Sequence, residues 1–158
     1  MKRIVIDSMV VDLMTDTPGL LNQVQEVARR GLLVFVVTHI IQDQLAAAPP
    51  PRRDQLLATY DALPKTQIPT RGLVLGLSRL GEARLGDGSE SGVSAHDVRP
   101  SGNMGGLADA LIATTASGDA DVMVTGDAAL LAKARKAGVR CEVWDLAQFI
   151  AFVEAAAK

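Results

Sequence analysis

The feature that most constrains the fold is the stretch from residue 107 to 127, where a helical segment leads into a short apolar run and then an acid. The helical part carries Asp109 near its start, and the strand Val122 to Thr125 is followed by Asp127. A second apolar run, Lys2-Arg-Ile-Val-Ile-Asp7, also ends in an aspartate. Unbroken apolar runs of this length are typical of strands buried on both faces of a parallel sheet.

Helical and apolar patterns alternate along the rest of the chain. This alternation predicts an α/β fold, a three-layer α/β/α sandwich with a mostly parallel sheet of about five strands. The remaining strands are predicted at Leu32 to Val37, within Pro64 to Pro69 and at Arg140 to Trp144. Besides the segment that carries Asp109, helices are predicted at Pro18 to Arg30, His39 to about Ala47, Arg52 to Leu63, 71 to 85, Ala128 to Ala137 and Leu146 to Ala157.

Composition limits the class of protein. The 158 residues match one domain, expected to span 1–158, and 48% apolar with 22% charged residues is ordinary for a globular chain. Aromatic residues make up only 3% and are scattered, which argues against a protein that binds single strands by base stacking. The single cysteine, Cys141, excludes an internal disulfide, and no apolar stretch reaches the length of a membrane span. We therefore expect a cytoplasmic protein without a membrane partner.

Residues 87 to 106 differ from the rest of the chain because they are rich in Gly and Ser and have no period. This composition predicts a long mobile loop, and such loops in compact domains are functional or disordered. Asn103, near the end of the loop, is either a left-handed turn residue or a group that approaches a substrate phosphate.

The aspartates at the strand ends are candidate cation ligands. In open parallel sheets the ligand site lies beyond the carboxyl ends of the strands, where we expect Asp7 and Asp127, and Asp109 in the first turn of its helix can face the same rim. Carboxylates that converge repel one another unless a cation lies between them. Oxygen ligands with room for water suit Mg²⁺ or Mn²⁺.

Each of these acids also has a structural alternative. An aspartate after a strand often only caps the next helix, which is an open alternative for Asp7, Asp127 and, less readily, Asp109. Asp119 and Asp121 flank the turn before the strand Val122 to Thr125, and the simplest interpretation is that they are solvated turn acids.

Three segments resemble, in order, the acidic motifs of the PIN-domain nucleases: Ile4-Val-Ile-Asp7-Ser8, Asp109-Ala-Leu-Ile-Ala-Thr-Thr-Ala and Val124-Thr-Gly-Asp127. The resemblance covers essentially the whole chain. It implies a Mg²⁺- or Mn²⁺-dependent endoribonuclease, often a homodimer and often the toxin that an antitoxin protein inhibits. It also implies that Asp7, Asp109 and Asp127 are metal ligands, with Ser8 and Thr125 supporting them by hydrogen bonds.

The chain departs from the family on the helix after the second strand, where the family places a glutamate. At about 100° per residue, Gln44 falls within the apolar arc of Ile40, Ile41 and Leu45, while Asp43 lies off its edge. Gln44 therefore matches the glutamate position, and its amide oxygen can coordinate a metal but brings no charge. Asp43 is either a further metal ligand or a solvated surface acid.

Two functions follow from these patterns. The first is metal-dependent hydrolysis of RNA, in which arginines outside the acidic pocket hold the strand. The second is a PIN-like RNA-binding or scaffold module that is catalytically weakened or inactive because Gln44 replaces a charged ligand. The arginines proposed to hold RNA are Arg29, Arg30, Arg52, Arg53, Arg71, Arg79, Arg84 and Arg99.

Overall fold

The computed structural model describes residues 1–74, 76–84, 94, 97 and 104–158. Its strands are β1 (Lys2–Ile6), β2 (Leu33–Val37), β3 (Lys65–Gln67), β4 (Val122–Val124) and β5 (Glu142–Trp144). The helices in this part of the chain are α1 (Ser8–Asp16), α2 (Leu20–Arg29), α3 (His39–Ala46), α4 (Arg52–Asp61), α5 (Met104–Asp119), α6 (Ala128–Ala137) and α7 (Leu146–Ala156).

The five strands form one parallel sheet in the order β3-β2-β1-β4-β5. Helices α1, α3 and α4 pack against one another, and α2 packs against α7. Side chains on both faces of β1 and β4 are buried, among them Ile4, Val5 and Met123. This is expected when helices cover both sides of a sheet. The predicted three-layer α/β/α sandwich is confirmed.

The order of the strands reverses between β1 and β4, because β2 and β3 lie to one side of β1 while β4 and β5 lie to the other. In parallel α/β sheets this is the point where a crevice opens beyond the strand ends. Ile6 pairs with Val124 across the two strands. Asp7 follows β1 and Thr125 follows β4, so this register brings the two residues side by side.

Local signals explain where several helices begin and end. Asp7 and Asp127 cap the helices that follow β1 and β4. Asp145 forms a capping box with Gln148 at the start of α7. Gly138 ends α6 with φ of +73°, the left-handed conformation that glycine adopts without strain, as predicted.

The predicted helix at 71 to 85 is wrong. The described residues of this segment form turns and a parallel bridge between Thr70 and Ala83, and Leu80 is fully exposed. Gly76 and Gly81 have φ of +85° and +82°, which a right-handed helix cannot contain. The leucine spacing in this segment therefore does not reflect a helical face, and we call residues 70–84 the strap.

Two further boundaries differ from expectation. A separate helix, α1, precedes Pro18, and Gly19 with φ of +83° separates it from α2. Helix α5 begins at Met104, so Asp109 lies in its second turn rather than its first. Most of the predicted loop at 87 to 106, including Asn103, lies outside the described residues. None of the described helices combines the length and the apolar character needed to cross a bilayer.

Asp119 is not the solvated turn acid that its position suggests. Arg71 of the strap donates two hydrogen bonds to its carboxylate, at 2.6 and 2.9 Å, and the two side chains are only 16% and 14% exposed. Hydrogen bonding to Arg71 lowers the pKa of Asp119 below its usual value. This ion pair ties the strap to the end of α5.

We predict that Asp119→Asn lowers the free energy of unfolding at pH 7 by about 1.5–3 kcal/mol, because it removes the negative charge that accepts two hydrogen bonds from the Arg71 guanidinium. The folded pKa of Asp119 is lowered, so its contribution is present above the unfolded value of 3.8 and is lost as pH falls below it. Urea denaturation of both proteins should therefore show a difference that shrinks toward pH 3. The matched control Asp61→Asn, at a carboxylate 76% exposed, should change stability by less than about 0.5 kcal/mol.

Candidate carboxylate site at the strand ends

Asp7 lies at the end of β1 and is 4% exposed. One carboxylate oxygen accepts the amide of Val10 at 3.1 Å, and the other accepts the hydroxyl of Thr125 and the amide of Gly126 at 3.2 Å. Desolvation raises the pKa of Asp7, and these hydrogen bonds oppose the rise. Thr125, rather than Ser8, is thus the side chain among the described residues that donates to Asp7.

Asp127 follows β4 and faces the same edge of the sheet. Its Oδ1 accepts the backbone amides of Ala129 at 2.7 Å and Leu130 at 3.0 Å, which caps α6. Its own amide donates to the Thr125 hydroxyl oxygen at 3.0 Å. Thr125 therefore links Asp127 to Asp7, and the cap accounts for only one of the two Asp127 oxygens.

Asp109 is half-buried in the second turn of α5. Its pKa is raised to about 6, first by desolvation and then by the negative charges of Asp127 and Asp7. The structure therefore brings the three predicted acids into one electrostatic neighbourhood, although they come from three separate elements.

The three acids differ from most other described aspartates in having no cationic partner within the described part of the chain. Among the described residues, no Lys, Arg or His nitrogen lies within 4 Å of the carboxylates of Asp7, Asp109 or Asp127. Uncompensated negative charge is thus concentrated at the switch between β1 and β4. The aspartates that do pair with a cation are Asp12, Asp16, Asp43, Asp54, Asp61 and Asp119.

The donors at this edge fit a hard divalent cation in type, since they are carboxylate oxygens. Their arrangement is looser than a finished cation site: within the described ranges, no three Asp, Glu, His or Cys side chains are drawn together closely enough to hold a metal ion. Asp7 and Asp127 instead direct oxygens to backbone amides and, in the case of Asp7, to the Thr125 hydroxyl.

The structure places Gln44 and Asp43 on α3 as the helical spacing predicts. Ile40, Ile41 and Leu45 are buried, Gln44 is half-buried and Asp43 is exposed. The Gln44 Oε1 atom is buried and accepts no hydrogen bond from the described residues. An amide oxygen in this state costs about 1–3 kcal/mol unless it finds a donor or a cation.

Asp43 is paired with Arg79 of the strap, and its carboxylate is not among those that raise the pKa of Asp109. Arg79 also lies 3.6 Å from Glu82, which in turn lies 3.6 Å from Nδ1 of the fully buried His39. The other ring nitrogen of His39 donates to the Leu77 carbonyl at 3.0 Å. These contacts attach the strap to the start of α3, where Thr38 precedes the helix without the predicted side-chain cap.

The arginines expected to hold an RNA strand are largely engaged elsewhere. Arg52 bridges Asp12 and Asp16, Arg71 binds Asp119, and Arg30 donates to the Ala156 carbonyl. The other described members of the set pair with an acid within 4 Å, and Arg99 lies outside the described residues. These others are Arg29, Arg53, Arg79 and Arg84.

Sequence reasoning missed Asp145, the acid that follows β5. It repeats the pattern of Asp7 and Asp127, an apolar run and then an aspartate, and Gln148 three residues later completes a capping-box signature. This capping-box signature could have identified Asp145 from the sequence. A cavity of about 370 Å³ lies between Asp127 and Asp145.

Comparison with known proteins finds no matching family model, no matching curated protein and no matching solved structure. The resemblance to the PIN-domain nucleases therefore depends on the motifs around Asp7, Asp109 and Asp127 themselves.

The raised pKa of Asp109 predicts a pH-dependent effect on stability. A carboxyl whose pKa is 3.8 when unfolded and about 6 when folded makes the protein less stable as pH rises between these values. Asp109→Asn, which does not ionise, should therefore raise the free energy of unfolding at pH 7 by on the order of 2 kcal/mol and give no such gain near pH 4. Urea denaturation in the presence of a chelator measures the free energy of unfolding of both proteins at each pH. An equal gain at the two pH values would contradict the assignment.

Proposed function

We propose that the protein is a divalent-cation-dependent endoribonuclease of the PIN type. The observation that carries this proposal is the arrangement of Asp7, Asp109 and Asp127 near the sheet's switch point, where the charges of Asp127 and Asp7 act on Asp109 and no cationic side chain of the described residues lies within 4 Å of the three carboxylates. Helix capping accounts for oxygens of Asp7 and Asp127 but not for Asp109, and a cation would relieve the repulsion that Asp109 experiences beside these two acids.

Asp109 and Asp127 are the residues proposed to hold Mg²⁺ or Mn²⁺, and the nearby carboxylate of Asp7 adds negative charge to the site. When bound, the cation would activate a water and stabilise the negative charge that develops on the phosphodiester. Thr125 holds the carboxylate of Asp7 and receives the amide of Asp127, so one hydroxyl orients both acids. The Asp109 carboxylate accepts no hydrogen bond from the described residues, which leaves it available to a ligand.

RNA as the substrate, an antitoxin partner and a homodimer are proposals that come from the resemblance. The paired arginines do not form a ready RNA-binding surface in the described part of the chain. We therefore place the recognition of RNA at the crevice itself rather than on those arginines.

A second candidate is a PIN-like RNA-binding or scaffold module without strong catalysis. Two observations favour it: the neutral Gln44 stands where the family has a charged ligand, and the described acids do not form a preassembled three-ligand group. Metal binding separates the two candidates, because only the first requires it.

The central test is Asp127→Asn, since asparagine preserves the helix cap while it removes the charge. We expect Mn²⁺-dependent cleavage of a single-stranded RNA to fall by on the order of a hundredfold or more, and chelator to abolish cleavage by the unaltered protein. Asp54→Asn, which removes an exposed surface carboxylate, is the control and should cleave normally. Undiminished cleavage by Asp127→Asn would refute the role of this residue.

Gln44→Glu tests whether α3 completes the site. If Gln44 lies at the family's ligand position, the added charge should tighten Mn²⁺ binding about tenfold, as measured by calorimetry. Gln42→Glu adds the same charge to the exposed side of the same helix and should leave the affinity within about twofold. Equal effects of the two substitutions would mean that Gln44 does not contact the cation.

A further inference from the structure

The cavity between Asp127 and Asp145 lies directly beside the carboxylate site. It opens where β4 and β5 end, between the first turns of α6 and α7, and we call it the helix-start cleft. Its walls include the apolar side chains of Ala128, Leu131 and Leu146. At about 370 Å³ it falls at the small end of the roughly 300–1,000 Å³ range of small-molecule sites, so it suits one compact ring system.

The polar groups of the helix-start cleft are hydrogen-bond acceptors. Asp145 uses Oδ1 to accept the amide of Gln148 at 2.8 Å, and Asp127 uses Oδ1 to accept the amides at the start of α6. The second oxygen of each carboxylate accepts no hydrogen bond from the described residues. Asp145 therefore offers a free carboxylate oxygen to the cleft, next to the Asp127 oxygen that is proposed to hold the cation.

This chemistry excludes a phosphate from the cleft. No lysine or arginine is among its described lining residues, and two carboxylates repel an anion. A neutral planar group that carries N–H donors on one edge fits both the apolar walls and the acceptors.

We propose that the helix-start cleft binds a guanine base of the RNA strand and sets the sequence preference of cleavage. The proposal rests on the proposed function, since Thr125 and Asp127 line the cleft and belong to the carboxylate site, so that a strand bound there passes its mouth. Sequence-specific RNA recognition works mainly through unstacked bases read at their Watson–Crick edges.

The free oxygen of Asp145 distinguishes the four bases by their donors. Guanine presents two adjacent donors on its Watson–Crick edge, the ring N–H and the amino group, whereas adenine and cytosine present one amino group. Uracil presents one N–H between two carbonyl oxygens, which a carboxylate repels. The expected order of binding is therefore guanine first, adenine and cytosine next, and uracil last.

Binding of free nucleosides tests the cleft without any need for cleavage. We expect guanosine to shift the backbone amide NMR signals of Ala128, Leu131 and Ala147, and uridine at the same concentration to leave them unchanged. Equal shifts with both nucleosides, or no shift with guanosine at millimolar concentration, would overturn the proposal.

Ala147→Trp fills the cleft from an exposed position on α7, and Ala151→Trp places the same side chain one turn further along, outside the cleft. We expect Ala147→Trp to weaken guanosine binding at least about tenfold and Ala151→Trp to leave it within twofold, since one well-made base contact is worth this much. Asp145→Asn keeps the helix cap and should reduce the preference for guanosine over uridine by a similar factor. If the tryptophan variants behave alike, the proposal fails.

Cleavage assays separate this proposal from the nuclease assignment. A protein that cleaves RNA in Mn²⁺ with no preference for a guanosine near the cut site, before or after Asp145→Asn, contradicts the cleft proposal and keeps the nuclease. A protein that binds guanosine in the cleft but cleaves nothing contradicts the nuclease and supports a base-binding cleft.

Discussion

The buried carboxylate of Asp7 is the constraint on which the rest of the site depends. A carboxylate that is 4% exposed is costly unless its oxygens are hydrogen-bonded, and here the partners come from α1 and from the residues after β4. Those partners are within reach only because β1 and β4 are neighbours in the correct register. The same hydrogen bonds that satisfy Asp7 therefore join the two halves of the sheet at its carboxyl edge and place Thr125 between Asp7 and Asp127.

The distribution of charge separates this edge from the remainder of the surface. Elsewhere the described aspartates mostly pair with arginine or lysine, as Arg52 does with Asp12 and Asp16, and the formal net charge is only −2. At the switch point negative charge accumulates, and the pKa of Asp109 rises to about 6, first because the carboxyl is desolvated and then because of the charges of Asp127 and Asp7. Such a concentration of uncompensated charge lowers the stability of the folded protein, a cost that is typical of functional sites.

A second region of incomplete pairing lies on α3 and the strap. The buried oxygens of Thr38, Gln44 and Glu82 and one nitrogen of His39 have no hydrogen-bond partner among the described residues. The strap is also where the helix predicted from leucine spacing is wrong. Its contacts, Arg71 with Asp119 and Arg79 with Asp43, are tertiary ion pairs between distant parts of the chain, which local periodicity does not encode. These pairs also explain why Asp43 and the arginines are less available to ligands than their sequence positions suggest.

The sequence by itself determined the parallel sheet, its strands, most helices and the positions of Asp7 and Asp127, because burial on two faces leaves continuous apolar runs and strand-end caps select aspartate. It placed Asp109 on the correct helix but one turn too close to the helix start. It also predicted that Gln44 turns inward and Asp43 outward on α3. Only the tertiary structure decided that Thr125 rather than Ser8 holds Asp7 and that a cleft opens beside Asp145. The physical reason is that these properties depend on strand order and register, which bring together residues more than a hundred positions apart, whereas periodicity and capping report only on neighbours along the chain.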